Sequence, residues 1–364
     1  MPQCENIIKM QYCRVNHAAA LTMTAREQRN QGGKMLDAAV VGLGWWGKII
    51  VATLRDGAKL RVVKTIDPDP AAASWARERG FDHAPVLDAA LGDDGVQAVI
   101  LCTPHSLHTA QIARAAQAKK NVFCEKPLAL KRADAVKAIG LCKENGVMLG
   151  VGHERRFEPP MIELTRLAKS GGLGTLLQIE ASFCQDKFRD LAEGNWRMSQ
   201  SEAPAGPMTN TGIHLLDLAV SLFGPAESVL CRTRQLGSTL TNGDTLAALV
   251  SFKSGAALLL NAILATPFAG RFTLYGNKGW IEIRDLSHPE NPKGWVMTTC
   301  LRSGTTVSRD YPPAPAVKAN LESFADAATG KAPYPTTHEE MVATVAALEA
   351  IVTSSRSGAI VAVA

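Results

Sequence analysis

The stretch Gly42-Leu43-Gly44-Trp45-Trp46-Gly47 decides the fold of this chain. It follows a short apolar run at 38–41, and a helical pattern begins directly after it. Three glycines at this spacing allow a tight turn, close approach of the backbone to a pyrophosphate, and close packing of the helix. The amides at the start of the helix then hold the phosphates. The pattern predicts a dinucleotide-binding turn, and a glycine turn without a ligand is the alternative.

The second predicted strand, 60–66, ends at Asp67, 20 residues after Gly47. A carboxylate at this place accepts hydrogen bonds from ribose hydroxyls and repels a 2′-phosphate. NAD is therefore favoured as the cofactor, and NADP stays possible. Asp67 as an ordinary turn residue before Pro68 is the alternative.

Short apolar runs alternate with helical stretches from Leu36 to about Gly152. The runs are 38–41, 60–66, 97–102, 121–124 and 147–151, and helical spacing occupies stretches such as 105–118 and 131–145. Strands that alternate with helices indicate a parallel sheet with right-handed crossovers. We predict an α/β fold with a doubly wound, Rossmann-type domain over 35–155.

After about Arg156 the rhythm changes. A helix is predicted at 158–169, with others at 211–223 and 338–355, and 311–316 is predicted to be an extended linker. The predicted strands are 175–185, 227–234, 244–252, 256–264, 271–275 and 279–284. Consecutive strands indicate a large, mostly antiparallel open sheet, one face of which needs a cover. We predict a second α/β domain over 156–364, for substrate binding and oligomerisation.

The composition excludes several classes of protein. The chain has 364 residues, 46% hydrophobic and 20% charged, and a net charge of +5 without any basic stripe, so neither nucleic acid nor membrane is an expected partner. Eight cysteines without a Cys-x-x-Cys pair argue against zinc and disulfides. We expect no metal site.

Residues 1–34 are polar and turn-rich, and Met35 stands directly before the first strand. We expect this segment to be a disordered extension or an over-called start. A mitochondrial-type leader is the rival, but Glu5 and Glu27 count against it. We expect a cytoplasmic protein.

Two further strand ends carry chemistry. One leads into Thr103-Pro104-His105-Ser106-Leu107-His108, and the next into Glu125-Lys126-Pro127. Ligands bind at the carboxyl ends of parallel strands in open α/β sheets. A lysine there can stabilise negative charge on a substrate oxygen, although a lone lysine is more often a surface residue.

With these motifs the chain resembles the Gfo/Idh/MocA oxidoreductases, the glucose-fructose oxidoreductase and inositol dehydrogenase group. The resemblance also includes Gly206-x-x-x-Asn210-x-Gly212-x-His214-x-x-Asp217 and 273–283, and together the motifs cover about 36–364. It implies hydride transfer between NAD(P) and a carbinol carbon of a sugar, cyclitol or related diol. It also implies assembly into a dimer or tetramer through the second sheet.

By position, Lys126 and His214 match the family's catalytic lysine and histidine, and Pro127 matches a proline that is often cis. The resemblance likewise makes Thr103, Pro104, His108, Glu125 and Lys126 candidate cofactor-binding residues beside the glycine turn with Trp45 and Trp46.

The chain departs from the family at Asn210, where the family usually has Asp. An amide accepts no proton at neutral pH, so Asn210 can orient a hydroxyl but cannot act as a base. This leaves His214 as the general base, with less stabilisation of its cation because a neighbouring carboxylate is missing. A buried histidine whose ring is held by Asp217 is the alternative for His214.

Further substrate-binding candidates lie nearby. His153-Glu154-Arg155-Arg156-Phe157 opens the second domain, and either arginine could clamp a carboxylate or form a solvent-facing inter-domain salt bridge. Trp196 and Arg197, 14 and 13 residues before Asn210, could wall the pocket. Trp45 or Trp46 could cover the pyrophosphate or line the cleft.

The leading prediction is an NAD(P)-dependent dehydrogenase acting on a CH–OH group. Two alternatives stay open: an NAD-dependent hydrolase of the same family that cleaves glycosidic bonds without net redox, and a non-catalytic dinucleotide sensor or partner-binding protein.

Overall fold

A computed structural model describes residues 35–189, 191–302 and 304–364, so the expectation for 1–34 lies outside the described residues. The first sheet has six parallel strands in the order β3-β2-β1-β4-β5-β6. Its strands are β1 (Leu36–Val41), β2 (Leu60–Ile66), β3 (Asp82–Ala84), β4 (Ala98–Leu101), β5 (Asn121–Cys124) and β6 (Leu149–Val151). The predicted doubly wound sheet is confirmed. The order reverses between β1 and β4, where such sheets bind their ligands.

Helices cover this sheet because its strands are buried on both faces; all four residues of β4, for example, are buried. The helices are α1 (Trp45–Thr53), α2 (Pro70–Glu78), α3 (Asp88–Leu91), α4 (His108–Gln117) and α5 (Arg132–Asn145). The predicted helix at 105–118 begins with a 3₁₀ turn at His105–Leu107. The helix α2, capped by the Asp69 side chain, was not predicted.

The second sheet has nine strands, in the order β14-β13-β12-β11-β7-β10-β9-β8-β15. They are β7 (Leu176–Cys184), β8 (Ala226–Arg234), β9 (Thr245–Phe252), β10 (Ala257–Ile263), β11 (Ala269–Gly276), β12 (Gly279–Asp285), β13 (Trp295–Leu301), β14 (Val307–Tyr311) and β15 (Val361–Ala362). Within the described residues only β7 and β10 pair in parallel, which confirms the mostly antiparallel sheet.

Four helices complete the second half of the chain: α6 (Pro159–Lys169), α7 (Ile213–Phe223), α8 (Ala316–Ala328) and α9 (His338–Ser357). One face of the second sheet packs on α7, whose residues from Ile213 to Val220 are all buried. The strands β13 and β14 and the helix α8 were missed. The predicted linker 311–316 was too long, because Tyr311 ends β14 and Ala316 begins α8.

The two C-terminal helices, α8 and α9, pack against the first sheet. Leu321 and Phe324 of α8 belong to the core of that sheet, and Phe324 packs edge-on against Phe123 of β5. The helix α9 joins both cores: Met341 and Val345 belong to the first, and the turns around Leu348 and Ile351 belong to the second. The division at 155/156 stays a prediction, but the first core clearly includes residues from far beyond it. No helix in the described part of the chain is long and apolar enough to cross a membrane.

Candidate active site

The glycine turn joins β1 to α1 and has the geometry of a phosphate cradle. Gly42 has φ +90°, and a Cβ there would lie 2.8 Å from the Cys102 carbonyl oxygen. A Cβ on Gly47 would lie 1.8 Å from the Gly42 carbonyl oxygen, so these two glycines are needed for packing. Gly44, in contrast, is exposed and has no atom within 4 Å of a Cβ position. Gly44 therefore leaves an open approach to the N-terminus of α1, and helix N-termini are places that attract phosphate groups.

Asp67 lies beside this turn at the end of β2. Its Oδ2 accepts a hydrogen bond of 2.6 Å from the Leu43 amide, and its Oδ1 accepts one of 2.9 Å from the Asp69 amide. The carboxylate is half-buried and is held against the glycine turn. The contact of Asp67 with the ribose of a cofactor stays a prediction. The residues of this region fit the cofactor that the motif predicts.

A cavity of about 800 Å³, including its open mouth, lies beyond the ends of β4 and β5. The cavity brings together nine of the predicted residues from both halves of the chain: Trp45, Trp46, Thr103, Glu125, Lys126, Trp196, Arg197, Asn210 and His214. No group of three His, Cys, Asp or Glu side chains in the described ranges is arranged to hold a metal ion.

Lys126 follows β5, and its peptide bond to Pro127 is cis, as the resemblance implied. Its Nζ donates hydrogen bonds to the carbonyl oxygens of Asn210 at 2.6 Å and Thr209 at 3.4 Å. Burial lowers the pKa of Lys126 to about 8, against the opposing effect of Glu154 and Glu125. An ammonium group has three donors, so one remains for a substrate oxygen.

Asn210 lies in a single π-helical turn, Met208–Gly212, that leads into α7. Such turns occur often at functional sites. The Asn210 Nδ2 donates to the carbonyl oxygens of Gly206 at 2.9 Å and Arg197 at 3.4 Å. A carboxylate could not donate to these two carbonyls, so the local backbone explains why an amide suits this position.

His214 is buried at the first turn of α7 and lines the cavity. Burial lowers its pKa well below the ordinary value, and the charge of Lys126 lowers it further, so the ring is neutral at neutral pH. Its Nδ1 makes no hydrogen bond with any described residue, but lies 3.6 Å from Oε2 of Glu154.

This contact corrects two expectations from the sequence. Asp217 does not hold the His214 ring, because it pairs with Arg156 through contacts of 2.6 Å and 2.8 Å. A carboxyl group does lie beside His214, although the sequence led us to expect none. Glu154 supplies it from the 3₁₀ turn Glu154–Phe157 that follows β6.

Two predicted substrate-binding residues do not line the cavity. Arg155 is 2% exposed, and its guanidinium pairs with Glu158 and Asp285, the latter at 2.7 Å. Arg155 thus forms a buried ion pair, whereas the alternative from the sequence was a solvent-facing inter-domain salt bridge. His153 is buried 3.6 Å from Asp217, with its ring edge-on to His214 at 5.9 Å.

His108 and Pro104 also stay outside the cavity. Both ring nitrogens of His108 lie near carbonyl oxygens, Nδ1 at 2.9 Å from that of Pro127 and Nε2 at 3.0 Å from that of Thr103. His108 therefore ties the loops after β4 and β5 together. Pro104 starts the 3₁₀ turn before α4. Any contact of these two residues with a cofactor stays a prediction.

An aromatic and cationic wall closes the side of the cavity next to the glycine turn. The Arg197 guanidinium lies 4.2 Å from the ring centroid of Trp196 and 5.8 Å from that of Trp45, which is 44% exposed. Burial lowers the pKa of Arg197 to about 10, so it stays charged. The other turn tryptophan, Trp46, also lines the cavity and packs against the first core.

Sequence reasoning missed several polar lining residues, including Glu154, Gln185, Lys187, His288 and Glu290. Glu154 and Lys187 follow predicted strands, and this position at a strand end could have identified them as residues of the site. Lys187 lies 4.2 Å above the Trp45 ring and pairs with Glu290. Glu290 and His288 come from the connection between β12 and β13, for which the sequence offered no signal.

Comparison with known proteins agrees with this architecture. A family model described as "Oxidoreductase family, NAD-binding Rossmann fold" matches residues 36–153, and one described as "GFO/IDH/MocA C-terminal domain" matches 161–282. The crystal structure of aldose-aldose oxidoreductase from Caulobacter crescentus with glycerol superimposes with a TM-score of 0.79 and 24% identity, over 90% of this chain and 100% of that one. That likeness is one of fold.

Two curated relatives are informative. The uncharacterized oxidoreductase YdgJ of Escherichia coli is 27% identical over 66% of this chain and 68% of its own length. The 2,7-anhydro-N-acetylneuraminate hydratase of Escherichia coli is 32% identical over 52% of this chain and 50% of its own length. The matches to several other relatives span about two fifths to about half of those proteins, for example 39% and 54%.

Proposed function

Because this chain belongs to the Gfo/Idh/MocA family of NAD-binding oxidoreductases, we propose that it transfers hydride between NAD and a CH–OH carbon of a sugar, cyclitol or related diol. One observation carries the proposal. Lys126 from the end of β5 and His214 from α7 line the same cavity, at the carboxyl edge of the sheet that carries the glycine turn.

The chain's own residues supply the places for NAD. The amides at the start of α1, left accessible by Gly44, would hold the pyrophosphate, and the Asp67 carboxylate would accept hydrogen bonds from the ribose. When bound, NAD supplies a hydride acceptor for alcohol oxidation. NAD rather than NADP is the proposed cofactor, since Asp67 would repel a 2′-phosphate.

The acid–base chemistry belongs to Lys126 and His214. The neutral His214 ring can accept the hydroxyl proton, which a histidinium could not do. The charged Lys126 can donate its remaining N–H to the same oxygen and stabilise the negative charge that develops there. Asn210 can orient a second hydroxyl through Oδ1, which suits a diol.

A substrate screen tests the proposal. The protein with NAD is mixed with cyclitols, aldoses, sugar acids and cis-diols, and NADH is followed by its absorbance. Accumulation of NADH with one class, lost in His214→Gln, supports the proposal. NAD binding without NADH formation from any class would overturn it.

A second candidate is a reaction without net redox, in which NAD is regenerated within each turnover. It is favoured by the relative named as a 2,7-anhydro-N-acetylneuraminate hydratase, which shares 32% identity over 194 residues. Product formation from an anhydro sugar or a glycoside without NADH accumulation would distinguish it from the dehydrogenase.

We also propose that a second copy of the chain covers the outer face of the second sheet. Leu230, Leu249 and Leu259 pair across the adjacent strands β8, β9 and β10 and form an apolar row on that face. Leu249 and Leu259 are 40% and 43% exposed. A homo-oligomer would bury this row.

The thiols of the six described cysteines are free, which suits the cytoplasm that we propose as its compartment.

A further inference from the structure

The contact between Glu154 and His214 suggests a role beyond the residues that the motifs assign. Building on the proposed function, we propose that Glu154 is the positioning residue of His214 and accepts the Nδ1 proton when Nε2 receives the proton of the substrate hydroxyl. Glu154 would thereby provide the carboxyl group that Asn210 lacks.

The geometry favours this pairing. Oε2 of Glu154 lies 3.6 Å from Nδ1 of His214, and the two side chains are 13% and 7% exposed. Nδ1 is buried and makes no hydrogen bond with any residue in the described ranges. Both residues line the cavity, so a small movement on substrate binding would close the contact to hydrogen-bond length.

The neighbouring carboxylate and amide have other partners. Asp217, one turn along α7, is held by Arg156. The Asn210 Nδ2 is held by the carbonyl oxygens of Gly206 and Arg197. Among the described carboxyl groups, the one that reaches the His214 ring is that of Glu154.

The electrostatics explain why a proton acceptor is needed behind His214. A cation on the buried ring is opposed by desolvation and by the charged or titratable groups that face it, which are Lys126, His153, Arg155 and Lys187. For Glu154, burial and the charge of Glu125 raise the pKa to about 8, whereas Lys126 and Arg155 oppose the rise. Glu158 is a further carboxyl group in this network. Glu154 therefore takes up a proton more readily than the buried His214 ring does. Because Glu154 is ionised only above its pKa of about 8, His214 acts as a base in the proposed function on the alkaline side of neutrality.

The proton balance is simple. In alcohol oxidation the substrate O–H bond breaks and an N–H bond forms at Nε2. The Nδ1–H bond breaks and an O–H bond forms on Glu154. The electron pair of the carbinol C–H bond leaves as the hydride that NAD takes up in the proposed function. His214 is neutral before and after the transfer, with its proton moved from Nδ1 to Nε2.

The protonation state of Glu154 then selects the His214 tautomer. Ionised Glu154 accepts from Nδ1–H and leaves Nε2 as a base, whereas protonated Glu154 donates to Nδ1 and leaves Nε2–H as an acid. The experiment is two-bond ¹H–¹⁵N NMR on full-length protein labelled at histidine, titrated from neutral to alkaline pH without substrate. The His214 signals are assigned by their loss in His214→Gln.

We expect His214 to change tautomer with a midpoint near the Glu154 pKa of about 8, and Glu154→Gln to abolish the change. Glu154→Asp keeps an ionisable carboxyl and should retain the change. The matched control Glu290→Gln removes a cavity carboxylate that pairs with Lys187 instead, and should also retain it.

A tautomer change that persists in Glu154→Gln would assign it to Lys126 and overturn the proposal. A wild-type ring without any change would overturn it too, whether or not the variants fold. Because the titration needs no turnover, it separates the two proposals. If no alcohol reduces NAD but the tautomer change is present, the hydride-transfer proposal fails and the Glu154 pairing stands.

Discussion

Lys126 donates a hydrogen bond of 2.6 Å to the backbone carbonyl of Asn210, a residue 84 positions away. The bond joins the end of a Rossmann strand to the π-helical turn that carries the second half of the site. It fixes the ammonium group by backbone atoms, so its position does not depend on the side chain at 210. The replacement of the family's usual Asp by Asn210 therefore leaves the lysine in place.

Replacement of Lys126 tests its role in turnover. Lys126→Met should lower kcat by at least ~10²-fold, the scale for a positioned acid–base or electrostatic group, because the substrate oxygen loses its cationic donor. NAD affinity should change little, since the turn and Asp67 are untouched. Steady-state NADH formation and a binding titration with NAD measure the two effects.

The matched control is Lys131→Met, which removes an exposed lysine five residues along the same segment. It should leave both quantities unchanged. Turnover that survives in Lys126→Met would remove this residue from the mechanism.

The same substitution has a pH-dependent effect on stability. The Lys126 pKa is lowered to about 8, so below that pH both the folded and the unfolded chain carry the proton and folding buries the charge. Between about 8 and the ordinary value of 10.5, only the unfolded chain keeps the proton, so wild-type stability rises with pH.

Lys126→Met removes this linkage. The difference in Tm, variant minus wild type, should therefore be more positive at neutral pH than near the ordinary lysine pKa. Thermal unfolding of both proteins across this range measures the difference, with Lys131→Met as reference. A Tm difference that is the same at every pH would show that burial of the Lys126 charge does not destabilise the folded protein.

The glycine turn separates ligand binding from folding. Gly44→Ala adds a Cβ to open space at a φ of −60°, so stability should stay level or rise by up to ~1 kcal/mol. NAD should bind at least ~10-fold more weakly, because the methyl group occupies the approach of the pyrophosphate. Gly47→Ala should instead destabilise the fold by ~1–3 kcal/mol, because its Cβ would overlap the Gly42 carbonyl.

Chemical denaturation and a NAD titration on both variants check this contrast. The expectation for Gly44 fails if its alanine variant binds NAD like wild type. The expectation for Gly47 fails if its variant is as stable as wild type.

The sequence could predict those site residues that stand directly after strands. Gly42, Asp67 and Lys126 each follow an apolar run, and such run ends meet at one edge of a parallel sheet. The partners of charged residues could not be predicted in this way. Arg155 is held by Asp285, 130 residues away, and no local pattern announces that contact.

Contacts between residues that are distant in the sequence also explain why the helix α8 and the site residue Glu154 were not predicted. The helix α8 packs on the first sheet through Phe324, a long-range contact that periodicity does not reveal. Glu154 stands beside two arginines, and guanidinium groups are a stronger sequence signal for ligand binding than a lone carboxyl group. Glu154 lines the cavity and Arg155 does not, and the 3₁₀ turn after β6 that separates them has no sequence pattern of its own.

Asp67 should determine both affinity and the choice of cofactor. Asp67→Asn removes the charge from an acceptor of ribose hydroxyls, so NAD should bind more weakly by roughly 1.5–3 kcal/mol, about 10–150-fold. Discrimination against NADP should narrow, because the repulsion of the 2′-phosphate disappears. Binding titrations with both cofactors measure the ratio.

The control is Asp69→Asn, the same chemical change two residues along. Asp69 caps α2 by accepting a hydrogen bond of 2.9 Å from the Ala71 amide, and Asn caps helices equally well. This variant should bind both cofactors like wild type. If Asp67→Asn and wild type bind both cofactors equally, the Asp67 carboxylate only supports the glycine turn and does not contact the cofactor.

The outer face of the second sheet gives the last prediction. Leu259→Glu places a charge in the row formed with Leu249 and Leu230, and in a two-fold symmetric interface each substitution acts twice. Because Leu259 is 43% exposed in the single chain, each copy loses roughly half of the ~1.5–3 kcal/mol of a fully buried leucine, so assembly should weaken by at least ~10-fold. Light scattering after size-exclusion chromatography should show an oligomer for wild type and a monomer for the variant.

The control is Leu236→Glu, on a leucine that is 74% exposed in the connection after β8. This variant should leave the oligomer intact. A monomeric wild type, or a Leu259→Glu protein that still assembles, would mean that another surface or none joins the copies.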